Sequence, residues 1–452
     1  MKRTLALLLM IAAAPAALGQ TTSVVVFKGA LLIDGTGAPP IKKSILVIDG
    51  DKITAVGKEG KLHYPKNARV IDVEGRTIMP GLITVHAHVG LVAGTQNRAD
   101  VYTRENIENA LVQYEQYGVT SMLSLGLNRD LIYELRDEQR KGTIPGASIF
   151  TAGRGIGADS GAPGIPLAPD QLYRPKSAEE ARADVREIAA HHPDIIKVWV
   201  DDVYDKYPKM DPAIYKAVID ESHLQGLRVA AHVFYLGDAK ALIADGVDVF
   251  AHGIRDLPVD DELIGMMKSR GVIYVPALMV DESPFVFAEN SAVTQDLFFK
   301  QAVSPELLQL LQSQQYRDKA EHDPNLAHVK AAFLTSERNL KTLQAAGVRI
   351  AMGTDSGASP TRIPGWAEHH ELELMVRAGL TPMQAIVAAT SGSAAVLGVS
   401  DRGTLEIGKR ADFLVLAANP LDNISHTREL LSVWHGGNEV QPRVAAPSLR
   451  VQ

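Results

Sequence analysis

The segment Met79-Pro80-Gly81-Leu82-Ile83-Thr84-Val85-His86-Ala87-His88 decides how the rest of this chain is read. It is an apolar run of strand type that closes on two histidines two residues apart. Side chains two apart on a strand share a face, so His86 and His88 aim two imidazoles at one spot, as a metal site needs. A bare pair of this kind is more often packing or solvent-facing. Residues further along the chain decide between the two readings.

Short apolar strands alternate with helical stretches beyond this point. The pattern predicts strands over 83–89, 121–125, 148–152, 195–200, 228–233, 247–251, 272–278 and 349–353, with helices over 104–117, 178–191, 211–225, 239–244 and 334–346. Strand–helix alternation of this length predicts an α/β fold, a parallel (β/α)8 TIM-like barrel. A doubly wound open sheet is the alternative, but Gly153-Arg154-Gly155-Ile156-Gly157 is a poor match to a dinucleotide-binding fingerprint.

Two β-rich segments flank the alternating region. One carries short apolar runs such as 24–27, 44–48 and 53–56, with Asp49-Gly50 as a hairpin signal. The other spans 403–416 and 432–437 with the same texture. Neither can bury a core alone, so they are expected to pair into one small β-sandwich from 20–80 and 400–445, around a barrel over 81–399. The long interval before the last strand predicts a helical insertion at about 281–340 that covers the active face as a substrate lid. Its run 307–311 reads equally as lid or as the contact of a homo-oligomer.

Composition narrows the function. The 452 residues are 46% hydrophobic and 22% charged, with a net charge of -7. That balance offers no basic face for phosphates and argues against a general nucleic-acid binder. Lys2 and Arg3, the apolar stretch 5–13 and the small residues of 14–20 read as a cleavable signal peptide over 1–19. The protein is therefore expected in the periplasm or secreted, with no stable membrane anchor. The rival, an uncleaved anchor, suffers from a short stretch interrupted by Pro15. There is no cysteine, so any metal must be held by His, Asp, Glu or a modified Lys, which favours a hydrolytic site over a structural one.

Barrel enzymes build their sites from the carboxyl-terminal ends of the strands. Polar residues at such ends are Lys197, His232, His252 and Asp355. Each alone has an ordinary reading: a snorkelling lysine, hydrogen-bonded core imidazoles, a turn aspartate. Together with His86 and His88 they place HxH on the first strand, Lys on the fourth, His on the fifth and sixth, and Asp on the eighth. This pattern resembles the amidohydrolase superfamily, in its binuclear branch with a lysine on the fourth strand. The stretches 72–81, 379–386 and 408–412 resemble its entry and closing segments. Within it the chain is similar to the imidazolonepropionase-like group, which includes Xaa-Pro dipeptidases and ochratoxin-type amidases.

The resemblance implies that His86, His88 and Asp355 hold one divalent ion, and His232 and His252 a second. A carbamylated Lys197 would bridge the two, with zinc the metal most often found in the family. It further implies a shared hydroxide as nucleophile and Asp355 as the group that moves a proton to the leaving amine. Three more residues are candidates for substrate binding: Tyr235 through its hydroxyl, and Arg255 and Arg154 as carboxylate clamps. Their rival readings are a packed aromatic and ordinary salt bridges. His191 and His192 read as structural, and one of His369 and His370 as a support to the ligands.

The expected function is an exported metal-dependent hydrolase of a C–N amide bond in a dipeptide, N-acyl amino acid or similar small amide. A lactone or phosphotriester hydrolase is the rival within the same chemistry, and a non-catalytic binding barrel the rival outside it.

Overall fold

Eight parallel strands occupy the centre of the computed structural model, which describes residues 24–444 and the backbone of 450–451. The expected signal segment 1–19 lies outside the described residues. The strands are Leu82–Ala87, Val119–Ser124, Ser148–Thr151, Ile196–Trp199, Val229–His232, Val249–Ala251, Ile273–Val275 and Arg349–Ile350. The first three pair side by side, and the last five likewise. Parallel bridges join Ile156 to Val198 and Ala87 to Ser356, and the Val85 amide donates to the Met352 carbonyl at 2.9 Å. The sheet thus closes on itself as the expected TIM-like barrel.

Alternation along the strands divides the core in two. Ile83, Val85, Leu123, Leu125, Phe150, Ala230, Val249, Ala251, Val275 and Ala351 form the barrel interior. Their neighbours Leu82, Met122, Ile196, Val198, Ala231, Phe250 and Met352 belong to the larger cluster that the surrounding helices cover. Apart from the exposed Arg349 at the start of the eighth strand, both faces of the strands are largely buried, which is why they read as near-continuous apolar runs.

The helices over 104–117, 178–191 and 211–225 appear within a residue or two of their expected limits, as Arg104–Gln116, Ala178–Ala190 and Pro212–Leu224. Thr103, Ser177 and Asp211 cap them, each accepting a backbone N–H. The stretches 239–244 and 334–346 belong to longer helices, Leu236–Asp245 and Leu326–Ala345. Helices beyond those expected include Leu131–Arg140 and Asp261–Arg270. The second is bounded by an Asp260 cap and a left-handed Gly271, signals legible in the sequence but obscured by Gly265.

Between the seventh and eighth strands, short helices such as Leu278–Glu282, Val286–Glu289 and Pro305–Gln312 precede the long Leu326–Ala345. Leu307 and Leu311 are buried in this chain's own core. Among the described residues no helix is long and apolar enough to cross a membrane.

Two five-stranded sheets pack beside the barrel, and both draw strands from the two ends of the chain. The hairpin of Ser44–Asp49 and Lys52–Lys58 turns at Gly50, whose φ of 57° glycine adopts without strain. Thr77–Pro80 pairs antiparallel with Phe413–Leu416. Phe27 meets the rings of Phe413 and Trp434 edge-on, each at 4.9 Å, so one aromatic cluster locks the two ends together.

His435, at the end of the strand Leu430–His435, ties this sandwich to the barrel. Its Nδ1 lies 2.6 Å from Glu115 Oε1 and its Nε2 3.0 Å from Ser148 Oγ, with all three residues buried. Replacing the ring with alanine leaves a carboxylate and a hydroxyl short of a partner, so His435→Ala should cost about 1–3 kcal/mol of stability. Denaturant unfolding of the two proteins side by side measures it.

Candidate metal centre and active site

The six polar residues expected at the strand ends converge at one mouth of the barrel. Lys197 and His232 follow the inward parity of Ile195 and Ala230 on their strands. The other strands need a departure from simple alternation. On the first strand, Thr84 lies opposite Met122 and Ala87 opposite Ser124, three steps against two. This bulge allows Ile83 and Val85 to point into the barrel and still sends His86 and His88 inward at its mouth. On the sixth strand, Val249 and Ala251 point inward, so simple parity would send His252 out. Its φ of 143° turns the ring back toward the axis. Asp355 also sits at positive φ, 56°, a conformation aspartate tolerates better than most residues. Strained backbone at two of six such residues is typical of functional sites.

Close approach demands glycine here. A Cβ on Gly353 would stand 2.5 Å from the Cβ of His86. One on Gly357 would stand 2.1 Å from the His88 carbonyl oxygen.

His88 Nε2 lies 2.9 Å and His86 Nε2 3.3 Å from Asp355 Oδ1. The ligand atoms of these three residues fall within 4.8 Å of one another, close enough to hold one ion. The rings of His86 and His252 are 4.4 Å apart, and those of His252 and His232 4.2 Å. Lys197 is fully buried beside them, its Nζ 5.1 Å from the Trp199 ring.

Burial governs the charge states. It pushes all four imidazoles down, His88 to about 3 and His232 to about 4, and the Lys197 amine well down. The neutral forms are those that donate lone pairs. Lys197 Nζ and the Nδ1 atoms of His86, His232 and His252 have no hydrogen-bond partner, so a buried donor set stands ready and the residues fit a metal. On His232 the other nitrogen, Nε2, lies 2.9 Å from Asp201 Oδ2. A carboxylate behind a ligating histidine fixes its tautomer and orientation.

A cavity of about 330 Å³ opens onto His86, His88, His232, His252 and Asp355. Trp199, Tyr204, Tyr207 and Phe234 give it an aromatic wall, and Val280, Asp281 and Val329 of the insertion contribute to its lining. Of the expected substrate residues, Arg255 lines the cavity, held by Asp281 Oδ1 at 3.0 Å from its Nε. Tyr235 and Arg154 are not brought to it. The Tyr235 hydroxyl donates to Asp202 at 2.8 Å, and the Lys209 ammonium covers its ring at 3.6 Å. Arg154 is drawn outward by Asp130, Tyr173 and Glu187.

His370 bonds Glu282 at 2.5 Å, and His369 bonds Thr427 and the Tyr117 carbonyl, so both act between helices and loops away from the ligands. Asp201 and Arg362 were not anticipated. Asp201, four residues after Lys197, stands at a strand end where the same reading could have found it. Arg362 lies in a loop that no periodicity marks.

A closed parallel barrel with imidazoles, an amine and an aspartate converging at one mouth defines a metal-dependent hydrolase. The profile of the amidohydrolase family matches residues 77–440, and the chain belongs to that family. It is 26% identical to an ochratoxinase of Aspergillus niger, an alignment covering 92% of this chain and 86% of that protein. A solved Xaa-Pro dipeptidase with methionine bound in its active site is 25% identical, with a TM-score of 0.71 over 92% of this chain and 100% of that one. The A. niger ochratoxinase structure shares the fold, with a TM-score of 0.72 and 23% identity over 93% of this chain and 96% of that one.

Two predictions follow from the buried site. Asp201→Asn should weaken metal binding by about 10–100-fold, measured by competition with a chelator, because His232 loses its anionic support. The second concerns pH. His88, His232 and His369, the last lowered to about 4, bind protons near 6.5 when unfolded but far less readily when folded. The unfolded chain therefore holds more protons between about 6.5 and 4. As pH falls through that window, each such imidazole should lower the stability of the metal-free protein by about 1.4 kcal/mol per pH unit, opposed in part by Glu371 and Asp281, whose carboxyls burial raises to about 8 and about 6. Unfolding at a series of pH values gives the slope.

Proposed function

We propose that this chain hydrolyses a C–N amide bond in a dipeptide, an N-acyl amino acid or a similar small amide. The observation that carries this reading is the buried, unpartnered Lys197 amine grouped with the unpartnered Nδ1 atoms of His86, His232 and His252, three imidazoles that line a cavity of about 330 Å³. His86, His88 and Asp355 would hold one divalent metal, and His232 and His252 a second, with zinc the expected ion. The neutral amine of Lys197 is suited to add to carbon dioxide. In that addition a C–N bond would form and one proton would leave, and the resulting carbamate would give Lys197 anionic oxygens with which to help hold the metals. That conversion would also satisfy a buried amine that has no hydrogen-bond partner in the protein.

Metals bound there supply an activated water and polarise the substrate carbonyl. The protein residues do the rest. Asp355 accepts the proton from the attacking water at Oδ2 and delivers it to the leaving nitrogen as the C–N bond breaks, releasing an acid and an amine. The aromatic wall excludes bulk water and receives the apolar part of the substrate. Relatives that include an Xaa-Pro dipeptidase support an amide over a lactone or phosphotriester, and the signal-like residues 1–19 support export to the periplasm or medium.

Purified protein loaded with zinc and bicarbonate, assayed on dipeptides, N-acyl amino acids, lactones and a phosphotriester, tests the reading. Amide turnover with bound metal is expected. Absence of metal after loading, with no turnover, would reduce the chain to a binding barrel. Lys197→Ala should lower metal content and activity together, activity by roughly 100-fold or more. Retention of both would remove the bridging role.

A further inference from the structure

Three basic side chains line the cavity, Lys206, Arg255 and Arg362, and they differ in how their charge is met. Arg255 is buried against Asp281, donates through Nη1 to the Gly253 carbonyl at 2.8 Å, and lies 4.8 Å from the Phe234 ring. Its charge is neutralised inside the wall, which leaves it poorly placed to clamp a ligand. Lys206 is exposed at the rim, its ammonium 5.1 Å from the Tyr207 ring, where water solvates it.

Arg362 is different. Its guanidinium contacts Asp355 Oδ2, and its Nε, like that of Arg255, is buried with no hydrogen-bond partner, so what sets it apart is the anion it faces. It also lines a second cavity of about 200 Å³ behind His88, so it stands as a partition between two spaces. Its backbone is fixed, with Arg362 N–H donating to Ser359 O at 3.0 Å and Gly357 N–H to Arg362 O at 2.8 Å. The one anion it touches is already committed, because Asp355 Oδ1 faces His86 and His88 at 3.3 and 2.9 Å. A carboxylate shared between metal ligands and an arginine cannot satisfy both in full, so the guanidinium is short of an anion.

We infer that Arg362 is the specificity-determining residue for the α-carboxylate of the amino acid released by hydrolysis. This rests on the amide reading above and sharpens it. An α-carboxylate is separated from the scissile nitrogen by a single carbon, so a cation touching Asp355 stands where that group arrives. The guanidinium fork matches a carboxylate in two parallel hydrogen bonds, which a lactone or phosphotriester cannot supply. Arrival of the substrate carboxylate takes over the fork and frees Asp355 Oδ2 to accept the proton of the attacking water. The substrate class is therefore an amide whose leaving amine carries a free carboxylate beside the nitrogen.

The test compares N-acetyl-L-leucine and N-acetyl-L-phenylalanine with their carboxamides, followed by acetate release, on metal-loaded wild type, Arg362→Gln and Arg362→Lys. Calorimetry of L-leucine and L-leucinamide binding to the same proteins gives a readout independent of turnover, with metal content and thermal melts checked in parallel. Wild type is expected to prefer the carboxylates. Arg362→Gln should cut that preference at least roughly tenfold, mainly through KM, and Arg362→Lys should restore part of it. Equal losses on carboxylate and carboxamide in both variants, or no preference in wild type, overturn the assignment. Should loaded wild type cleave none of these amides, the amide reading fails by itself. Calorimetry then still decides: weaker L-leucine binding in Arg362→Gln upholds the carboxylate site, and unchanged binding refutes it.

Discussion

Closing a parallel sheet into a barrel forces strand ends far apart in sequence to meet at one rim, and the chemistry of this chain depends on what points inward there. The interior below the rim is apolar, built from residues such as Ile83, Val85, Val249 and Val275. Above it the same strands end in four imidazoles, an amine and an aspartate. Polar groups at that depth are costly unless something satisfies them. The unpartnered nitrogens of His86, His232, His252 and Lys197 mark where the protein's own atoms leave that demand unmet.

Second-layer contacts decide how firmly the groups are held. Asp201 supports His232 from behind, and the Gly126 carbonyl lies 3.3 Å from Nδ1 of His88. Gly353 and Gly357 allow the eighth strand and its loop to press against the backbone of the first. Glu371, buried on the helix Trp366–Arg377, accepts the amides of Leu278 and Met279 at 2.8 Å each, anchoring the start of the insertion that brings Asp281 to the cavity. The mouth is thus built from rigid elements, with the cavity lined by the loops between them.

Much of this was legible from the chain alone. All eight barrel strands and the residues that converge at the mouth stand out as polar residues ending apolar runs, because burial on both faces leaves little else in a strand. The backbone irregularities were not legible. Neither the bulge before His86 nor the turned backbone at His252 changes residue type, so alternation alone cannot reveal them. Tyr235 and Arg154 show the other limit. Their positions after strand ends suggested the cavity, but Asp202 and Asp130 claim them, and such partnerships depend on loop geometry that short-range pattern does not encode. Arg362 is the converse, a loop arginine made important by where its loop lies.

The sandwich carries a consequence for how the molecule comes into being. Met79 and Leu414 are neighbours across one sheet although more than three hundred residues separate them. The strand Thr77–Pro80 leads directly into the first barrel strand, yet its antiparallel partner Phe413–Leu416 is synthesised only after the whole barrel. During synthesis that early strand must wait with an unpaired edge and apolar side chains uncovered. Folding of the whole is therefore gated by the arrival of the carboxyl-terminal segment, and a chain truncated before residue 413 would lack the piece that seals its beginning.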